Sequence, residues 1–186
     1  MNTNASAEYR FSNEVRYRTN EHPNQRQLTP GYVLIPVRHA LGGEIDLDPC
    51  TEPDNPTAAL RYYTEADDGL TSPWNANTIY CNPPYGKARE PWVKLCIAAG
   101  ERGAKVILLI PSHTDTRVVQ SCFQTASSAA FIKGRVKFGV LRNNGRQEAA
   151  SHPSVLFGWN VNLSPACDEL GYIVTLRNLE EHECAQ

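Results

Sequence analysis

The run Val106-Ile107-Leu108-Leu109-Ile110 constrains the fold of this chain more than any other stretch. Five consecutive aliphatic residues leave no polar face, so a strand built from them needs cover on both sides. Helices give that cover in an α/β sheet, and helical spacing is present on either side. Val93, Cys96, Ile97 and Gly100 mark a helix from about Pro91 to Arg102 with Gly103 as its stop. A second helix is expected beyond Pro111-Ser112-His113-Thr114-Asp115-Thr116-Arg117, capped by Thr114 or Asp115 and running to about Phe123. With 186 residues, 41% of them hydrophobic, the chain is long enough for one domain with a real core.

Other elements fall around this pair. Thr29-Pro30 has the form of a helix start, a hydroxyl N-cap followed by proline at the first helical position. Val33, Leu34, Val37 and Leu41 supply its apolar face, Pro36 should kink it, and Gly42-Gly43 ends it. Glu44 to Asp48 alternates acidic and apolar residues and reads as the first strand, so Asp48-Pro49-Cys50 lies where ligands of open sheets bind. Only seventeen residues separate Pro49 from Asp67, too few for a helix, a strand and another helix, so the fold is expected to be trimmed there. Leu60 to Thr64 supplies a short second strand. Further strands are expected at Thr78 to Cys81, Ala129 to Ile132 and Tyr172 to Leu176. Val136 to Leu141 with Ser154 to Trp159 reads as an antiparallel hairpin. Residues 1–28 carry four Arg and three Glu without apolar periodicity and read as a polar flexible arm, leaving 29–186 as the single domain.

Chemistry concentrates in Asn82-Pro83-Pro84-Tyr85, placed by the strand before it at the carboxyl edge of the sheet. Each proline lacks an N–H and fixes φ, and each residue before a proline is held extended. The Asn82 carboxamide oxygen and the Pro83 carbonyl can therefore both accept from one planar –NH₂ group. Tyr85 offers a ring on which a base can stack. An ordinary strand-ending turn is the plain alternative.

The tetrapeptide matches the motif of S-adenosylmethionine (SAM)-dependent amino methyltransferases: Asp, Asn or Ser, then Pro-Pro, then an aromatic residue. Asp48-Pro49-Cys50, Tyr62-Tyr63-Thr64 leading to Asp68-Gly69-Leu70 and Trp74, Pro111 to Thr116, and Lys133 to Phe138 resemble the phage-type DNA adenine-N6 methyltransferases (Dam-like). These blocks cover roughly residues 29 to 159. The resemblance implies a Rossmann-like methyltransferase sandwich, mostly parallel, with a C-terminal antiparallel hairpin. It implies catalysis by Asn82, Pro83, Pro84 and Tyr85 on an adenine turned out of double-stranded DNA. For the cofactor it implies Thr29, Pro30, Asp48, Pro49, Cys50 and Asp68, with Asp68 favoured over Asp67 because it directly precedes Gly69-Leu70. One departure stands out: the glycine-rich loop common in SAM enzymes is missing, and Cys50-Thr51-Glu52-Pro53-Asp54 stands in its place.

The net charge of −2 hides a dipolar chain. Glu44 to Asp68 holds eight acidic residues and one Arg, which suits a cationic sulfonium; Lys87 to Arg146 holds eleven Lys and Arg against three acids, which suits phosphates. Lys133, Arg135 and Lys137 are candidate phosphate contacts. The loop Arg142 to Gln147, with Arg142 and Arg146, carries residue types that pair with base edges. Solvated faces have similar composition. His113 invites a general-base reading, but a methylated amine is acidic enough to lose its proton unaided. The six cysteines lack metal-ligand spacing, so no metal is expected and the thiols read as reduced packing residues. No apolar run approaches a membrane span and no leader is visible, so a cytoplasmic protein is expected, of open oligomeric state. Rival readings are a methyltransferase for RNA guanine or protein glutamine amides, a cytosine-N4 enzyme, and a non-catalytic DNA-binding relative.

Overall fold

The computed structural model describes residues 27–85, 88–140 and 147–177. Its main body is a seven-stranded sheet built from β2 (Leu47–Asp48), β3 (Arg61–Tyr62), β4 (Thr78–Cys81), β5 (Lys105–Pro111), β6 (Ser128–Ile132), β9 (Ser154–Trp159) and β10 (Gly171–Thr175). The strand order is β10-β6-β9-β5-β4-β2-β3. β3, β2, β4 and β5 are parallel neighbours; β9 runs antiparallel to both β5 and β6, and β10 antiparallel to β6. Five strands thus share one direction, as a mostly parallel sheet requires. The helices are α1 (Gly31–Ala40), α2 (Arg89–Glu101) and α3 (Arg117–Thr125).

β5 shows why the sheet is covered on both sides. Alternate side chains of a strand face opposite ways. Ile107 and Leu109 join Val33, Leu34 and Val37 of α1 and Leu156 of β9 in one core. Val106, Leu108 and Ile110 join Trp92, Val93 and Cys96 of α2 and Val119 and Cys122 of α3 in the other. Each fully buried aliphatic side chain contributes about 1.5–3 kcal/mol. Gly100 lets α2 approach closely, since a Cβ there would lie 2.7 Å from the Trp159 side chain. Cys81, Cys96, Cys122 and Cys167 are buried free thiols.

A second, three-stranded antiparallel sheet contains β1 (Gln27–Leu28), β7 (Lys137–Val140) and β8 (Gln147–Ala149) in the order β1-β7-β8. It revises the expected hairpin. β7 does turn back on a partner, but the partner is β8, while Ser154–Trp159 enters the main sheet between β5 and β6. The short β8 hides in sequence because three polar-rich residues give no alternation to read. Gln27 and Leu28, counted with the arm, pair with Val140 and Gly139.

Smaller differences have local causes. Thr29 does not cap α1: Pro30 is the capping residue, with no side-chain hydrogen bond, because the Thr29 hydroxyl is engaged elsewhere. The helix continues through Pro36 and ends before Gly42 and Gly43, whose φ values of 98° and 104° suit only glycine. Thr116, rather than Thr114 or Asp115, caps α3 by accepting from Val119 N–H. β2 and β3 are two residues each, and no helix lies between Pro49 and Asn77, so the region after the first strand is trimmed as expected.

Candidate active site

The carboxyl ends of β2 and β4 open onto a cavity of about 730 Å³. That is within the range of about 300–1,000 Å³ usual for small-molecule sites. Of the residues expected at the cofactor, Thr29, Asp48, Pro49, Cys50 and Asp68 line it, and Asn82 and Pro84 line it too. Pro30, Pro83 and Tyr85 do not. Glu52 and Glu65 join Asp48 and Asp68, so four carboxylates of the acidic segment share this wall.

Asp48 organises the loop that replaces a glycine-rich turn. It is 2% exposed, and it accepts from Cys50 N–H at 3.1 Å and from the Thr57 hydroxyl at 2.7 Å. Burial pushes its carboxyl up to about 6 against the pull of those hydrogen bonds. Asn55, at φ 48°, ties the far end of the loop by bonding both N–H and C=O of Ala59 through its amide. Side chains thus do the bracing that glycine flexibility would otherwise allow. Burial also raises the Cys50 thiol to about 12, so it stays protonated.

Asp68 faces the cavity whereas Asp67 turns away, accepting from the Thr64 N–H and hydroxyl. It is Asp68 that takes a positive φ, of 49°, and its carboxylate accepts from Leu70 N–H and the Thr71 hydroxyl. Gly69 is needed for a different reason: a Cβ there would lie 1.9 Å from the Pro49 carbonyl oxygen and 3.0 Å from the Trp92 ring. Trp74 fixes the same turn by donating its indole N–H to the Gly69 carbonyl at 2.8 Å. The Asp68 and Asp48 loops are therefore in backbone contact.

Asn82 is half-buried, and its Nδ2 donates to Thr29 Oγ1 at 3.2 Å. Thr29 Oγ1 is in turn 2.6 Å from the hydroxyl of Tyr80, which is fully buried. This chain fixes the carboxamide with its nitrogen toward Thr29 and its oxygen edge on the opposite side. Tyr80 had a sequence signal, since residues 80 and 82 share one face of an extended segment. Thr57 had none, because only the folded loop brings it to Asp48. Tyr85 is half-buried, its ring edge-on to Phe138 at 5.9 Å between centroids. Burial holds its hydroxyl well above the usual phenol range.

Lys133, Arg135 and Lys137 are all exposed, and Arg135 donates to the Ser151 carbonyl at 2.8 Å. Arg142 and Arg146 lie outside the described residues. Among those described, no helix is long and apolar enough to cross a membrane, and no cluster of three His, Cys, Asp or Glu side chains is placed to hold a metal ion.

A doubly covered, mostly parallel sheet with an acidic cavity beside an Asn-Pro-Pro turn is the arrangement of the SAM-dependent amino methyltransferases. Within that class, residues 18–183 match the family model described as DNA N-6-adenine-methyltransferase (Dam), and the chain belongs to this family. It is a SAM-dependent enzyme that methylates the 6-amino group of adenine in DNA. That sets aside the RNA, protein and non-catalytic readings. No curated protein is similar enough to match the chain.

Proposed function

We propose that the substrate is double-stranded DNA and that the target adenine is methylated after leaving the helix, its amine held by the Asn82 carboxamide oxygen and the Pro83 carbonyl. The observation that carries this is that Asn82 and Pro84 line the same cavity as Asp48 and Asp68. An amine gripped at Asn82 then directly adjoins the cofactor space. When bound, SAM supplies a methyl group on a positively charged sulfur. Asp48, Glu52, Glu65 and Asp68 favour that charge, and Thr29, Pro49 and Cys50 shape the space around it, with Pro30 next to Thr29 behind the wall. Accepting both amine hydrogens draws the nitrogen out of conjugation with the ring and frees its lone pair, and alignment of the two reactants supplies most of the acceleration. Once methylated, the nitrogen sheds its extra proton to solvent, so no dedicated base is needed. The half-buried Tyr85 ring supports the adenine, and leaving the stack costs a few kcal/mol.

Lys133, Arg135 and Lys137 are exposed and basic, which supports their contacting phosphates. We assign Arg142 and Arg146 in the β7–β8 loop to base or backbone contacts, and residues 1–28 to an arm preceding the single domain 29–186, joined to it where Gln27 and Leu28 pair with β7. A cytoplasmic setting goes with a substrate of this kind. Incubation with labelled SAM and duplex, single-stranded DNA or RNA, followed by digestion, is the direct test. Label in N6-methyladenine from duplex is expected; label confined to RNA or single strands would defeat the reading.

Thr29→Val keeps the shape but removes the oxygen shared by Asn82 and Tyr80. It should lower kcat by about tenfold, at a folding cost of about 1–3 kcal/mol for the orphaned Tyr80 hydroxyl, with KM for DNA little changed. Unchanged kcat in steady-state assays would count against the positioning of Asn82 by Thr29.

Cofactor affinity should depend on Asp48 ionisation. A carboxyl raised to about 6 is charged at pH 7.5 and mostly neutral at pH 5. Binding of a cation favours the charged form, so SAM should bind about tenfold more weakly at pH 5 and release a proton on binding near pH 6. Calorimetry in buffers of different ionisation enthalpy would show it, and Asp48→Asn should flatten the profile.

A further inference from the structure

Both ends of the Asn82–Tyr85 turn are held from the small sheet. Asn82 Nδ2 donates to Thr29 Oγ1, and Thr29 follows directly on β1. Tyr85 packs against the core that contains Phe138 of β7, and the two rings meet edge to face, with centroids 5.9 Å apart and planes at 85°. β1 and β7 are paired neighbours, with Leu28 opposite Gly139. The three-stranded sheet therefore reaches the reactive turn at its polar end and at its aromatic end.

Phe138 is a fixed point. It is 1% exposed, in one core with Val33, Leu34 and Val37 of α1. β7 is the central strand, paired with β1 on one side and, where Phe138 lies opposite Glu148, with β8 on the other. One residue earlier, the Lys137 N–H donates to the Tyr32 hydroxyl of α1 at 3.2 Å and ties the strand to the helix. Tyr85 has no comparable anchor of its own. It lies beyond the last residue of β4, Cys81, and its buried hydroxyl has no hydrogen-bond partner among the described residues, the nearby Ser154 hydroxyl not being aligned to bond it. Ring packing is left to set its angle. A perpendicular neighbour covers at most one face of a ring, so Phe138 fixes the half-buried Tyr85 without closing both of its faces to a base.

We propose that Phe138 is a positioning residue for methyl transfer: it sets the Tyr85 ring on which the extruded adenine stacks, while Thr29 sets Asn82, so that one small sheet aligns base and amine together. The proposal rests on the reading of Tyr85 as the base platform. β7 also leads into the loop of Arg142 and Arg146, so the strand that carries the assigned DNA contacts is the one that aligns the turn.

The test removes the ring but keeps an apolar side chain. Phe138→Leu should lower the single-turnover methylation rate about tenfold, with SAM affinity and duplex affinity little changed. Tyr85→Ala should lose more, and adding Phe138→Leu to it should cost nothing further, because no ring is left to position. Aminopurine, a fluorescent isomer of adenine, placed at the target position gives a second readout: its emission in the Phe138→Leu complex should shift toward that of the Tyr85→Ala complex. Leu170→Ala opens the same core beside β6 and β10, strands separated from β4 by β9 and β5, so it should lower Tm yet leave rate and emission at their natural values. A rate untouched by Phe138→Leu, a loss that adds in full to that of Tyr85→Ala, or an equal loss in Leu170→Ala would overturn the positioning role. Tyr85→Ala with the natural rate and emission would instead remove the platform reading on which that role depends.

Discussion

Asn82→Ala should abolish turnover while SAM binds nearly as before. The carboxamide lines the cavity wall and is held there by Thr29, but it carries no core packing. Its removal takes away one of two acceptors that act on the amine as the new bond forms. Losses of about 10²–10³-fold in kcat accompany removal of single preorganised groups of this kind, and this one also sets the position of the base. Asn82→Asp retains two acceptor oxygens, so it should keep measurable activity, with the Thr29 hydroxyl able to donate to it. Single-turnover methylation beside a SAM titration separates chemistry from binding. Equal losses of both in Asn82→Ala would mean that the residue builds the cofactor space rather than gripping the amine.

Gly69→Ala should be highly disruptive for the addition of a single methyl group. A Cβ would lie 1.9 Å from a backbone oxygen, and a backbone yields less readily than a side-chain tip. Overpacking costs about 1–3 kcal/mol as a rule, and this case belongs at the upper end, equivalent to a fall in Tm of about 6–12 °C. The turns carrying Asp48 and Asp68 must part to admit the methyl, so SAM affinity should fall with stability. Gly103→Ala provides a contrast: its φ of 93° strains any side chain, but nothing lies within 4 Å of the added atom and it is remote from the cavity, so only stability should suffer. Thermal melts with and without SAM would distinguish the two, since Gly69→Ala should lose the ligand-induced rise.

What could be read in the sequence was what local chemistry determines. The aliphatic run became β5, Gly42-Gly43 and Gly103 ended helices, and the spacing after Pro49 indicated a trimmed sheet. Asn82 could be placed because a strand of four residues leads straight into two prolines. Less legible were features created by distant pairing. Thr29 looked like a helix cap because capping is a local property, whereas its partners lie 51 and 53 residues away. Gly69 served in the sequence only to single out Asp68, yet its own necessity comes from the close approach of the Pro49 carbonyl, twenty residues earlier in the chain. Arg89 belongs to the basic segment, and the packing of α2 against β5 and α3 leaves it buried, which its charge alone does not foretell. Ser154–Trp159 had the composition of a strand, but nothing local says which neighbour it will choose.

That choice of neighbour bears on how the enzyme is made. β5 finds its second partner in β9, where Pro111 meets Ser154 and Val106 meets Trp159, so the pairing spans dozens of intervening residues. While the nascent chain emerges, the most apolar strand has one raw edge, and it stays raw until residue 159 has been synthesised. Assembly of the sheet is thus a late, long-range event that helices formed earlier must await.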